Sequence, residues 1–180
     1  MALPFYTIGH STRTIDAFVA LLRVAEVTVV ADIRSIPRSW TNPQYNLDVL
    51  PESLSTFQIG YEHIAELGGL RGKTKTVATD TNGFWKQASF RNYADYALTP
   101  SFRDGLDELI RLGRKRRCAM MCAEAVWWRC HRRIVTDHLI AHGETVFHLM
   151  NTDKVVPASL TKGALVKNKD VTYPPEDRAN

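Results

Sequence analysis

This 180-residue sequence has few cysteines, no long apolar run and no internal repeat. Its three cysteines are an odd number without the spacing of a disulfide framework, which indicates free thiols and a reducing compartment. No apolar run approaches the roughly 20 residues that cross a bilayer. The first residues have no basic lead and no long apolar stretch, so we expect no secretory signal. These absences predict a cytoplasmic protein without a membrane partner.

The composition that is present is typical of a globular protein. Hydrophobic residues make up 44% of the chain and charged residues 23%. The net charge of +4 and the pI near 9.0 permit an anionic partner without requiring one. The densest basic run, residues 111–117, falls where a helix is expected to end, and the helix macrodipole favours cations there. Contact with nucleic acid is the alternative interpretation of that run.

Strand-like and helix-like segments alternate along the chain. Short β-prone apolar runs predict strands at residues 5–8, 27–31, 59–63, 117–121 and 145–149. Apolar stripes at helical spacing predict helices at residues 15–25, 47–57, 90–97, 100–113 and 129–141. This alternation implies right-handed crossovers and parallel strands. We therefore predict an α/β fold, a single three-layer domain whose mainly parallel sheet has helices on both faces.

Two stretches lack this periodicity. Residues 66–89 are polar and glycine-rich, which predicts a long loop, and such loops in compact domains are usually functional or mobile. Residues 151–180 are polar and proline-rich, and we expect them to add little core. We accordingly assign residues 1–150 to the α/β domain and residues 151–180 to a C-terminal tail packed on or over it.

Side chains that could react or bind ligands follow the predicted strands. Because the carboxyl ends of parallel strands meet at one rim, where open α/β sheets bind ligands, we expect these side chains to converge. The richest turn joins the strand at 117–121 to the helix at 129–141. The candidates are His10, Ser11, Arg13, Asp32, Arg34, Cys122, Glu124, Trp128, Cys130, His131 and Arg132.

Thiol chemistry is the first interpretation of this turn. Cys122 ends a strand beside a helix N-terminus and arginines, a setting that lowers the pKa of a thiol. We therefore predict Cys122 as nucleophile or redox thiol, with Glu124 or His131 carrying protons. Cys130 is a second chemical candidate, and a disulfide between the two thiols is a variant of the same idea. Cys118 lies in mid-strand and is expected in the core.

Anion binding is the second interpretation. Arg129, Arg132 and Arg133 crowd the predicted start of a helix, where the macrodipole disfavours cations. A bound anion would compensate for this; a pair between Arg133 and Asp137 is the alternative. Trp128 either stacks on a base or covers the site. Asp32 lies on the same side of its strand as Arg34 and is expected to orient an arginine.

Metal binding is a weaker interpretation. Cys122, Cys130, His131 and His10 are ligand types for zinc or iron, but the sequence lacks a Cys-x-x-Cys or His-x-x-x-His pair. We therefore assign no metal site and leave the cofactor unknown, with a metal or haem protein as an alternative.

The chain resembles the domain of unknown function 488 family over nearly its whole length. The motifs that carry the resemblance are residues 7–11, 32–39, 43–46, 67–71 and 90–96, and Cys122-Ala123-Glu124 followed by Cys130-His131-Arg132. The resemblance implies a compact α/β domain of cytoplasmic location and gives Arg71 weight as a site residue. It implies no established reaction.

An enzyme acting on an anionic substrate is the leading functional hypothesis. The substrate class is a phosphate- or nucleobase-containing small molecule or nucleic-acid fragment, and the chemistry is that of a thiol-dependent hydrolase or transferase. Arg13, Arg34, Arg71 and Arg132 would position the anion. A non-catalytic module that binds a nucleotide or nucleic acid, or a metal or haem protein, is the alternative. Oligomeric state is not predicted.

Overall fold

A six-stranded sheet forms the centre of the molecule in the computed structural model, which describes residues 2–176. Its strand order is β3-β2-β4-β1-β5-β6. The strands are β1 (Phe5–Gly9), β2 (Val29–Asp32), β3 (Gly60–His63), β4 (Cys118–Cys122), β5 (Val146–Asn151) and β6 (Lys154–Pro157). All neighbouring pairs are parallel except β5 and β6. The predicted mainly parallel α/β sheet is confirmed.

Within residues 2–176, five α-helices lie in two layers on the faces of the sheet. They are α1 (Ile15–Val24), α2 (Leu50–Ser55), α3 (Ala88–Tyr96), α4 (Pro100–Lys115) and α5 (Arg132–Ala141). The apolar stripes of α1 and α2 pack in one buried cluster, around Phe18 and Leu54. Those of α3, α4 and α5 pack in another, around Tyr93, Phe102 and Ile134. Near-continuous burial of β2 and β4 follows from this double covering.

Local chemistry explains where several helices begin. The Thr14 hydroxyl accepts a hydrogen bond from the backbone N–H of Ala17 at 3.1 Å and caps α1. Thr99 caps α4, with Pro100 at its first position, as predicted. The structure differs at the last predicted helix. A 3₁₀ turn covers Trp127–Arg129 and α5 starts only at Arg132, so Arg129 and Cys130 precede the helix.

The C-terminal segment contributes more than expected. Strand β6 extends the sheet, and β7 (Leu165–Lys167) pairs with β8 (Asp170–Thr172) as an antiparallel hairpin. Val171 and Tyr173 are fully buried in the core. The expectation that residues after 151 add little core is therefore wrong. Short strands and single apolar residues among polar neighbours give no periodicity from which to predict this packing.

Two further features of the fold concern membrane-spanning helices and the basic run. Among residues 2–176, no helix has the length and apolar character to cross a membrane. The basic run at 111–117 ends α4 and enters β4, at the amino ends of the strands, away from the rim where their carboxyl ends meet. Within it, Arg114 pairs with Glu144 at 2.6 Å and Arg117 contacts the Tyr6 hydroxyl, which are structural contacts.

Candidate functional site

An open cleft of about 360 Å³ lies at the carboxyl ends of the parallel strands. Backbone pairing continues past the strands and sets its geometry. The N–H of His10 donates to the Cys122 carbonyl at 2.9 Å, and the N–H of Ile33 donates to the Met121 carbonyl at 3.0 Å. The residues that follow β1 and β2 therefore lie beside the end of β4. Residues 69–70, 87–90 and 129–131 complete the lining.

Half of the predicted site residues line this cleft. They are His10, Arg34, Cys122, Glu124, Cys130 and His131. The other predicted residues lie outside its lining: Ser11, Arg13, Asp32, Arg71, Trp128 and Arg132. The convergence of strand ends was thus predictable, whereas the direction of each side chain was not.

Cys122 and Cys130, here called the thiol pair, lie almost fully buried in the wall of the cleft. The Cys122 thiol donates to the Glu124 carbonyl at 3.7 Å and also lies within hydrogen-bonding range of the Cys130 sulfur. The Cys130 sulfur also accepts from the backbone N–H of Arg132 at 3.4 Å. That N–H belongs to the first residue of α5, so the sulfur occupies the positive end of the helix macrodipole.

The two thiols differ in acidity. Burial alone would raise the pKa of Cys130, but the hydrogen bond from Cys122 and the charge and backbone N–H of Arg132 lower it below its usual value. Burial and the role of hydrogen-bond donor raise the pKa of Cys122. Of the two thiols, Cys130 is therefore the one that loses its proton more readily. Cys118, buried in mid-strand, has its pKa raised to about 12 by burial.

His131 is oriented toward the more acidic thiol. Its Nε2 lies 2.8 Å from the carbonyl oxygen of Ile33, which can only accept, so Nε2 carries the proton. Nδ1 then presents a lone pair 3.5 Å from the Cys130 sulfur. Burial lowers the pKa of His131 below its usual 6.5, which keeps the ring neutral. A Cβ on Gly69 would lie 2.6 Å from Nδ1, so glycine there leaves room for the ring.

Arg132 is buried beneath the thiol pair. Its Nη1 donates to the Cys122 sulfur and to the Glu124 carbonyl, both at 2.7 Å, and its Nη2 donates to the Ala125 carbonyl at 3.1 Å. None of the salt bridges within residues 2–176 involves Arg132. A buried cation without a carboxylate requires another counter-charge. The Cys122 sulfur is in contact with it, and the charge of Arg132 favours the ionised form of both thiols.

Asp32 and Arg34 form a buried ion pair at the end of β2. The Asp32 carboxylate accepts from Nε of Arg34 at 2.9 Å and from its Nη2 at 2.7 Å, and also from the Tyr61 hydroxyl. Asp32 thus orients Arg34, as predicted from the strand. Arg34 Nη1 lies 3.4 Å from Nε2 of His10. The guanidinium is therefore fixed at the cleft wall by contacts with the protein.

His10 presents a neutral imidazole to the cleft. Its Nδ1 donates to the Ser11 carbonyl at 2.8 Å, and its ring stacks on Tyr45 with centroids 4.1 Å apart. The positive φ of 48° at Ser11 turns that carbonyl back toward the ring. Burial lowers the pKa of His10 to about 4, so Nε2 is a hydrogen-bond acceptor at neutral pH.

The predicted residues outside the cleft have contacts of their own. Arg13 donates to the carbonyls of Gly9 and Met150 at 3.0 and 2.8 Å. Arg71 donates to the Gly68 and Ala65 carbonyls and lies over the Tyr96 ring, which fixes the loop that carries Gly69. Trp128 is exposed and packs edge-on against Trp127.

Sequence reasoning missed several lining residues. Arg38 and Arg129 line the cleft and belong to none of the salt bridges of the described chain. Arg38 lies within the motif at 32–39, and Arg129 was noted only for crowding a helix start. The other lining residues that were missed are Ser35, Ile36, Ser39, Gly69, Leu70, Gln87, Ser89, Phe90 and Ala123. Because Arg34 is paired with Asp32, the charge of the cleft is set by Arg38 and Arg129 against a single acid, Glu124, and the cleft is electropositive.

Metal ligands are not grouped in the described part of the chain. No three His, Cys, Asp or Glu side chains within residues 2–176 are arranged to hold one ion.

Gly9 permits the close approach on which the cleft depends. A Cβ at this position would overlap the Glu124 carbonyl oxygen and lie 2.9 Å from the Cα of Ala125. We expect Gly9→Ala to displace residues 124–125 and lower the free energy of unfolding by roughly 3 kcal/mol. Chemical denaturation measures the loss. Gly72→Ala is the matched control, because nothing lies within 4 Å of its added Cβ; equal stability of the two variants would contradict the expectation.

Comparison with known proteins gives one match. The family model described as "Domain of unknown function DUF488" matches residues 14–139. No curated protein and no solved structure is detectably similar to the chain.

Proposed function

The chain belongs to the domain of unknown function 488 family, and from that premise we propose that it is a thiol-dependent hydrolase or transferase acting on an anionic substrate. The substrate carries a phosphate group or a nucleobase. One observation supports this proposal above the others: the Cys130 sulfur lies between the N-terminus of α5 and the unprotonated Nδ1 of His131, in an electropositive cleft. We also propose a cytoplasmic location, which suits three free thiols.

Cys130 replaces Cys122 as our candidate for the nucleophile. The Cys130 thiolate attacks an electrophilic atom of the substrate, forming one bond from sulfur as the bond to the leaving group breaks. Nδ1 of His131, unprotonated in the resting protein, takes up the proton that the thiol pair releases as the sulfur attacks, and delivers it to the leaving group. Water or a second substrate then displaces the sulfur, with His131 accepting the proton again. Glu124, on the same wall, is available to orient the incoming water.

The arginines support an anionic substrate. Arg38 and Arg129 are exposed at the cleft and have no carboxylate partner within residues 2–176, so their charge is available to a ligand. Asp32 neutralises the charge of Arg34, so Arg34 orients the substrate through hydrogen bonds more than it attracts it by net charge. Phe90, at the start of α3, offers a ring face to an aromatic part of the ligand. Arg132 acts on the thiols and is not assigned a contact with substrate.

Selective alkylation tests the thiol assignment. We expect the rate at which iodoacetamide modifies Cys130 to rise with pH around a lower midpoint than for a free cysteine peptide, because more of this thiol is ionised at a given pH. Peptide mapping by mass spectrometry identifies the modified residue. Cys130→Ser should abolish the reaction, whereas Cys118→Ser, at a buried mid-strand thiol, should leave it unchanged.

The partner thiol provides a sharper control. Cys122→Ala removes the hydrogen bond to Cys130 and should slow the alkylation, while Cys122→Ser keeps a hydroxyl donor and should slow it less. Alkylation of Cys122 before Cys130 in the wild-type protein would contradict the assignment of the nucleophile.

Turnover separates an enzyme from a binding module. Nucleotides and phosphate esters should yield products with the wild-type protein and none with Cys130→Ser, as followed by chromatography. Intact-mass measurement should detect a substrate fragment attached to Cys130. Salt-sensitive binding that survives Cys130→Ser but is lost in Arg38→Gln, without product from any compound, would favour the non-catalytic module instead.

A further inference from the structure

We propose that the substrate is a nucleic-acid fragment of at least two nucleotides, whose linking phosphodiester contacts Arg38 and whose second nucleotide occupies a cavity beside the cleft. This inference rests on the proposed function, because it specifies the anion that the cleft binds. It assigns a binding subsite to residues that no other feature of the site explains.

The second cavity has a volume of about 390 Å³ and adjoins the cleft. Its lining consists of Ile36, Pro37, Arg38, Asn46, Leu47 and Asp48. Ile36 and Arg38 line both spaces, so residues 36–38 form a ridge between them. Each volume is within the range of small-ligand pockets, and one nucleotide does not fill both. A ligand that occupied both spaces would lie beside Ile36 and Arg38, the residues that the two linings share.

The ridge is held in place by hydrogen bonds. The N–H of Leu47 donates to the Pro37 carbonyl at 2.9 Å, which joins the two walls of the second cavity. The Asn46 side chain accepts from the N–H of Ser39 at 2.6 Å, and the Ser39 hydroxyl accepts from the N–H of Asn42 at 3.0 Å. The loop therefore has a defined conformation that presents its side chains before any ligand binds.

Large apolar side chains are exposed along this path. The exposed fractions are 63% for Ile36, 45% for Leu47, 72% for Leu70 and 94% for Trp40. Ile36 and Leu70 border the cleft, Leu47 borders the second cavity, and Trp40 follows the cleft residue Ser39 in the chain. Such a concentration of apolar surface around one opening marks a binding surface. Base faces are the apolar surfaces of an otherwise anionic ligand.

The charged and polar side chains of the two spaces favour a dinucleotide over other ligands long enough to occupy both. Arg38, with no carboxylate partner within residues 2–176, is the cation on the ridge, where a phosphodiester between two bases would lie. Asp48 in the second cavity and Gln87 in the cleft offer hydrogen bonds to base edges. An anionic peptide or lipid has a charge but lacks a planar polar-edged ring on each side of it.

Comparison of one nucleotide with two tests the proposal. In calorimetric titrations of the full chain at constant low salt, we expect the dinucleotides adenylyl-adenosine and uridylyl-uridine to bind at least tenfold more tightly than AMP and UMP. Equal affinity of mono- and dinucleotides, or no binding of any of them, would overturn the proposal.

Variants locate the second nucleotide. Leu47→Ala should weaken dinucleotide binding about fivefold and leave mononucleotide binding unchanged, because Leu47 lines only the second cavity. Leu165→Ala is the matched control, since Leu165 is an exposed leucine on β7. Arg38→Gln should weaken both ligands, and Arg38→Lys less so. A Leu47→Ala effect that is equal for both ligands would overturn the assignment of the cavity.

The alkylation and binding experiments test the thiol chemistry and the two-nucleotide substrate independently. Rapid alkylation of Cys130 together with equal binding of mono- and dinucleotides would retain the thiol enzyme and reject the two-nucleotide substrate. Slow alkylation together with the predicted dinucleotide preference would reject the covalent chemistry and retain the binding site.

Discussion

Replacement of Arg132 by methionine is expected to slow the alkylation of Cys130 at pH 6.5 about 100-fold. Methionine retains much of the length of the side chain but removes the positive charge beneath the thiol pair. The hydrogen bonds from Cys122 and from the backbone N–H of residue 132 remain, but burial of the thiolate is no longer offset by the guanidinium charge, and the pKa of Cys130 rises above its wild-type value. A pH profile of the alkylation rate measures this rise directly, because its midpoint moves to higher pH.

Two controls separate charge from folding. Arg133→Met alters the neighbouring residue of the same helix turn, whose guanidinium lies over the rings of Trp85 and Trp127, and should leave the alkylation profile unchanged. Arg132→Lys keeps the charge but loses the forked contacts with the Glu124 and Ala125 carbonyls, so its profile should lie between those of wild type and methionine. An unchanged profile in folded Arg132→Met would contradict the role given to this arginine.

Acid is expected to unfold the protein at a midpoint on the order of pH 5. Burial lowers the pKa of His10 to about 4 and the pKa values of His138 and His148 to about 3. Below about pH 6.5 the unfolded chain binds protons that the folded chain does not, so stability falls as pH falls. The stability is fully present above that pH. These three groups alone give a slope approaching roughly 4 kcal/mol per pH unit, and His131, whose pKa burial also lowers, adds to it.

Denaturant titrations between pH 7.5 and 5 measure that slope. His138→Leu should reduce the contribution of these three groups by about one third, because the buried imidazole, whose Nε2 has no hydrogen-bond partner, no longer titrates. Phe102→Leu, in contact with the same ring at a centroid distance of 4.8 Å, should lower stability at every pH and preserve the slope. A slope near zero in the wild-type protein would show that these histidines protonate without unfolding.

The parallel sheet was the part of the fold most accessible from sequence. Val29 and Val30, and Met120 and Met121, lie in uninterrupted apolar runs because both faces of β2 and β4 are covered. Their carboxyl ends then had to meet, so the clustering of Cys122 with Arg34 and His10 followed from topology. Strand β6 and the packing of Tyr173 depended on tertiary contacts that leave no periodic pattern.

The roles of individual arginines depended on where each side chain points. Arg132 is the first residue of α5 and is directed toward the sheet. Arg129 lies before the helix and faces the cleft. Because the sequence predicted one continuous helix from residue 129, Arg129 and Arg132 were both expected in its first turn, with the same surroundings. Likewise, the choice between Cys122 and Cys130 rested on which sulfur receives the N–H of α5, and a shift of a few residues in the helix start changes that answer.

The burial of Arg132 has a consequence for any covalent intermediate on Cys130. Once the sulfur carries a substrate fragment it is uncharged, and the guanidinium loses the anion that balanced it in a medium of low polarity. Expulsion of the thiolate restores that balance, so the cation that makes the sulfur acidic also makes it a good leaving group. The same arginine would therefore hasten the second half of a turnover as well as the first, and keep the acylated or otherwise substituted protein short-lived.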